Sequence, residues 1–207
     1  MDEIEELLNK LRVENGVHSS RLDAAVKKVA QTETVEDRSW ALLELAKVLA
    51  DEGEWRKAEA IARSIIGGQE RAIALYEIGR RQISRGLEEA GVALLVDAAV
   101  VAGPIQESWQ KAEILCHIAK WLAVVSKQDQ ARSMWNEAIA VARDGEQSHD
   151  LQDSIDCSSV LGEIALELAL IGDVEKARKV ARDIKSDPKR ASASKALTRI
   201  LSERAKT

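Results

Sequence analysis

Cys116-His117 is the one place in this sequence where a thiol stands beside an imidazole. A histidine activates a thiol as its base only from within hydrogen-bond reach. Neighbours on a helix point about 100° apart, so these two cannot serve each other, and Cys116 reads as a small groove or core residue. His18, His117 and His149 show no metal-ligand spacing, and Cys116 and Cys157 alone make neither a structural zinc site nor a disulfide framework. His149 sits in the acidic run "DGEQSHDLQD", which reads as solvated loop. The "GGQ" at 67–69 lacks the lysine and hydroxyl residue of a phosphate-binding loop, and it follows a helical pattern where that loop follows a strand. Carboxylates are plentiful, but 31 % charged residues on helices produce them as exposed faces. The expectation is a protein that is not an enzyme, with no cofactor and no metal.

Charge narrows the partners. The formal net charge is −5, whereas nucleic-acid binding calls for a clustered basic surface. Of the five tryptophans, Trp55 and Trp135 fall on expected core positions, and Trp40 is expected to reach a groove. The acidic start "MDEIEELLNK" is unlike a signal peptide. The most apolar stretch, "VALLVDAAVVAG" at 92–103, is broken by Asp97 and far short of the ~20 residues that span a bilayer. No nucleic acid, no membrane and a cytoplasmic location are expected.

The elements that hold these residues are helices. Hydrophobic residues make up 45 % of the 207, Phe is absent and Pro occurs twice, a composition that favours helix over strand. Leu42, Leu45, Ala46 and Leu49 fall at i, i+3, i+4 and i+7. Gly53 then ends that helix, and Trp55, Ala58, Ile61, Ala62 and Ile65 stripe a second one. The order returns three times, around Gly86, Ser126 and Gly172. The small residue of each first helix is Ala46, Gly79, Ala119 or Ala165. The small residue of each second helix follows twelve positions later, at Ala58, Gly91, Ala131 or Ala177. Small residues at both sites let paired helices approach closely.

This pattern resembles the tetratricopeptide repeat, a helix pair of about 34 residues with small residues at these two places and a glycine at the turn. The resemblance covers residues 39–186. It implies an all-α, right-handed α-solenoid of about four helix-turn-helix repeats within 36–207, with Ala191–Leu201 as a C-terminal capping helix. Asp187 is expected as its N-cap and Pro188 as its first residue. The unit spacing departs from a constant 34, placing extra residues near 99–111 and 143–157, the latter a loop or a lengthened helix end. Residues 1–35 are expected to form an N-terminal amphipathic pair through Ile4, Leu7, Leu8 and Leu11, with Asp2 as cap and Gly16 as break, then Leu22, Ala25, Val26 and Val29. It reads as a degenerate opening repeat, the alternative being a free amphipathic segment that docks on a partner.

In such an array the first helices line a concave groove. The expected lining is Trp40, Leu43, Lys47, Ile73, Tyr76, Arg80, Ile83, Cys116, Lys120 and Arg199. Lys47, Arg80, Lys120 and Arg199 form a cationic column over apolar neighbours, suited to an acidic or amphipathic segment of a partner protein. Glu44 and Glu77, each three residues before a column member, make local pairing the competing expectation. Acids in the adjoining column disfavour a clamp for a terminal carboxylate. The expected role is a non-catalytic protein-interaction module. Its alternatives are a self-associating scaffold, a homodimer in the simplest case, or an accessory or sensor fragment of a multidomain signalling protein or enzyme.

Overall fold

The computed structural model describes Glu6, Leu8, Leu11 and residues 20–204, and among these every regular element is an α-helix. There are ten: α1 Ser20–Ala30, α2 Val35–Asp51, α3 Trp55–Ser64, α4 Gly68–Ser84, α5 Glu88–Ala102, α6 Ser108–Val124, α7 Gln128–Gly145, α8 Leu151–Leu170, α9 Val174–Asp183 and α10 Asp187–Arg204. The expected roles of Asp2, Ile4, Leu7 and Gly16 lie outside the described residues. Leu8 and Leu11 are buried, as are Leu22, Ala25, Val26 and Val29 on α1.

The chain divides into two compact units, Met1–Pro104 and Ile105–Thr207. In the first, α1 packs on α2, α2 on α3 and on α4, α3 on α4, and α4 on α5. In the second, α6 packs on α7 and on α8, α7 on α8, α8 on α9 and on α10, and α9 on α10.

Four helix pairs share one turn, and its hydrogen bonds explain the spacing of twelve. Gly53, Gly86, Ser126 and Gly172 have φ of 84°, 81°, 61° and 94°, the left-handed conformation that glycine adopts cheaply. In the first pair the Gly53 N–H donates to Ala50 O (3.1 Å) and the Glu54 N–H to Leu49 O (2.9 Å). Together these satisfy carbonyls orphaned at the end of α2. The Glu54 carbonyl then accepts the Ala58 N–H at 2.9 Å, opening α3. Leu87, Lys127 and Asp173 repeat this double role, donating to Gln82, Leu122 and Leu168 and accepting from Gly91, Ala131 and Ala177. One residue thus closes the first helix and starts the second, and the small residues sit a fixed count to either side of it.

Those small residues are buried at the crossings. Ala46, Ala58, Ala119, Ala131, Ala165 and Ala177 are fully buried. Between α4 and α5 the backbones come closer still. A Cβ on Gly79 would lie 2.8 Å from Gly91 O, and one on Gly91 would lie 2.6 Å from Ile83 Cγ1. Glycine here is a packing requirement that outweighs its poor helix propensity.

The extra residues go largely into helix. Second helices α3 and α9 have 10 residues, whereas α5 has 15 and α7 has 18. First helices α2, α4 and α6 have 17, and α8 has 20. The 143–157 segment is therefore mostly a lengthened α7 and an early start to α8, where Asp150 caps by accepting from the N–H groups of Gln152 (2.8 Å) and Asp153 (3.1 Å). Two expectations need correction. Asp187 is the first residue of α10, and its carboxylate takes the Arg190 guanidinium, while Ser186 O accepts the Arg190 N–H. Trp55 is only half-buried, with the Arg85 guanidinium 5.3 Å from its ring centroid, whereas Trp135 is fully buried.

Candidate functional site

In the first unit the expected lining divides. Trp40 is 46 % exposed, Ile73, Tyr76 and Ile83 are half-buried, and Leu43 is 2 % exposed. Leu43 thus belongs to the core and offers nothing to a partner. Lys47 and Arg80 form the local pairs: Lys47 Nζ lies 2.8 Å from Glu44 Oε1, and Arg80 Nη2 lies 2.7 Å from Glu77 Oε2.

Arg80 is also one end of a longer chain of ions. Glu77 accepts from Arg81 as well, Arg81 Nε donates to Asp51 at 2.6 Å, and Arg21 Nη2 donates to Asp51 at 3.2 Å. The chain links α1, α2 and α4. Burial pushes the Glu77 carboxyl up, but hydrogen bonds from Arg80 and Arg81 outweigh it and hold the group below its usual range. Asp51 behaves the same way: burial opposes ionisation, and Arg81 and Arg21 prevail.

In the second unit the pairing crosses between first helices α6 and α8. Lys120 Nζ lies 2.5 Å from Glu167 Oε1, and His117 Nε2 lies 3.4 Å from Glu163 Oε1. The hydrogen bond to Glu163 raises the His117 pKa against the opposing effect of burial, and the same bond lowers that of Glu163. The hydrogen bond to Glu167 likewise raises that of Lys120. Arg199 is exposed on α10.

Cys116 is 1 % exposed and belongs to the core. Burial above all, reinforced by Glu163 and Glu167, pushes its thiol far up. Burial, with Asp153 and Glu146 adding to it, pushes the Cys157 thiol up to about 12. Both are therefore protonated at neutral pH and poor nucleophiles. Among the described residues no group of three or more His, Cys, Asp or Glu is placed to hold a metal. No helix among them is long and apolar enough to cross a membrane.

Sequence reasoning missed two acids. Glu167 answers Lys120 from a neighbouring helix, a relation that no local spacing carries. Glu146, which fell in an expected loop, is 5 % exposed. Its carboxylate accepts from the Ser158 hydroxyl on α8 and from the Lys185 N–H just beyond α9 (3.0 Å). Its signal was the stripe Trp135, Ala138, Ala142 and Gly145, which carries α7 up to it.

Chemically, these faces offer half-buried apolar side chains ringed by ion pairs. A partly exposed pair such as Lys47–Glu44 is worth about 0–1 kcal/mol, so an incoming charged segment can exchange with it.

No protein-family model matches the chain, and no curated protein does. Among solved structures it is similar to the crystal structure of Ton1535 from Thermococcus onnurineus NA1, with a TM-score of 0.54 and 18 % identity. The likeness covers 93 % of this chain and 56 % of Ton1535, so this chain spans little more than half the length of that protein. At this identity the likeness is one of fold.

Proposed function

We propose that the chain is a tetratricopeptide-like, right-handed helical solenoid of about four repeats that works as a non-catalytic docking module for a protein partner. The observation that carries this reading is the packing order. First helices lie against one another, α2 on α4, α6 on α8 and α8 on α10, and α3, α7 and α9 each wedge behind against the next first helix. Within each unit that arrangement leaves a row of first helices to receive a segment. In the first unit Trp40, Ile73, Tyr76 and Ile83 supply apolar contact, and Lys47 and Arg80 orient an acidic or amphipathic segment by exchanging their acids for its own. In the second unit Lys120 does so by the same exchange, beside the exposed Arg199. Selection from a displayed peptide library, followed by titration against K47E/K120E, tests the reading. Weaker binding with unchanged far-UV circular dichroism is expected, and unaltered affinity removes the column from the mechanism.

A second reading, pairing of two copies, draws on α5. Val96 and Val100, at i and i+4, are 42 % and 73 % exposed on this largely apolar helix. Light scattering across a dilution series tests it, and a monomer at every concentration removes it.

A further inference from the structure

The chain as a whole is acidic, but its charge is unevenly placed. Residues 174–207 hold eleven Lys and Arg against four Asp and Glu, a net +7, which leaves −12 on residues 1–173. On α9, Arg178, Lys179 and Arg182 are exposed, and none forms an ion pair among the described residues. Arg63, Arg81 and Arg143 on other helices each hold an acid.

A groove of about 460 Å³ runs between α9 and α10. Arg178 and Arg182 line it from α9, the half-buried Leu201 and the exposed edge of the largely buried Leu197 give it an apolar floor, and Ser194 and Thr198 line it from α10. The two guanidiniums stand four residues apart, one helical turn, and each can take a carboxylate in its fork. The Thr198 hydroxyl already donates to Ser194 O at 2.8 Å, so it faces the groove as an acceptor. An acceptor repels carboxylate and phosphate oxygens alike but suits a peptide N–H. A peptide can therefore place its N–H on Thr198 and its carboxylates on the guanidiniums, whereas a phosphodiester backbone has no N–H to offer. A phosphodiester backbone also has nothing apolar to bury on two leucines. The groove's chemistry therefore favours a peptide over a nucleic acid.

We propose that the α9–α10 groove docks an acidic segment of a partner protein, its carboxylates on Arg178 and Arg182 and its leucine-like side chains on Leu197 and Leu201. This site is separate from the first-helix faces and does not depend on them. The test selects 12-residue displayed peptides on the full chain and follows the best one by fluorescence anisotropy. Three proteins are compared: the wild type, R178E/R182E and K47E/K120E. The expected winner combines Asp or Glu with large apolar residues. It loses at least about tenfold in affinity for R178E/R182E, whose circular dichroism matches the wild type, and binds K47E/K120E as before. A 20-residue oligo-dT does not displace it. Equal affinity for R178E/R182E, displacement by the oligonucleotide, or failure to enrich any peptide overturns the proposal. Loss confined to K47E/K120E also overturns it, while leaving the first-helix reading in place.

Discussion

At the scale of single residues, Ser126 stands where three other turns have glycine. Its φ of 61° costs an L-residue about 1–2 kcal/mol, part of which a glycine's looser unfolded chain takes back. Ser126→Gly is therefore expected to stabilise by about 0.5–1 kcal/mol, read as a raised urea midpoint with unchanged slope. His117 gives a pH-dependent counterpart. Its pKa is raised above 6.5 by Glu163, so its contribution is complete below that value and fades as pH rises through the folded pKa. Glu163 is lowered below 4.5, so its contribution holds above that value and is lost as pH falls through its own folded pKa. The pair is thus strongest between those limits. The melting temperature of His117→Gln should fall furthest below wild type near pH ~5.5, with the gap narrowing towards pH ~8.5. A constant gap across that range removes the ion pair from the account.

At the scale of elements, Glu146 joins the end of α7 to α8 and to the residues after α9. Truncating it strands the Lys185 N–H. Glu146→Ala should cost about 1–3 kcal/mol in chemical unfolding, while Glu137→Ala, an exposed position on the same helix, changes little. The elements were the legible part of this chain. Apolar periodicity located the helix pairs, and Gly53, Gly86, Ser126 and Gly172 were readable as turns because the conformation they need leaves a mark on residue type or position. The site was less legible. Leu43 and Cys116 share a helical phase with Lys47 and Lys120, and periodicity alone does not tell the outer edge of a stripe from its buried margin. Lys47 and Arg80 pair with acids three residues away, which spacing predicts, but the partner of Lys120 comes from α8, and only the packing of α6 on α8 supplies it.

At the scale of the whole molecule, the two compact units meet in sequence at a short connection, residues 103–107, most of it exposed. Limited glutamyl-endopeptidase digestion should cut first in this segment, at the exposed Glu107. Early cleavage within α4 or α8, both rich in buried residues, would contradict that division. Across successive pairs, equivalent acids recur: Asp97 on α5 takes Arg63 of α3 at 2.7 Å, and Asp183 on α9 takes Arg143 of α7 at 2.8 Å. Each acid lies six residues past its helix's small residue, so the same address is used for the same purpose in both units.

The turn residue that ends one helix and begins the next also decides where this chain tolerates insertion. One amino acid added between Ala46 and Ala58 would swing α3 round by about 100° and carry Ala58 off the crossing, and the same holds for the other three pairs. Residues added between pairs merely prolong a helix, as the 15 residues of α5 and 18 of α7 already do. Length variants of this protein should therefore differ at the junctions between hairpins and keep every hairpin intact.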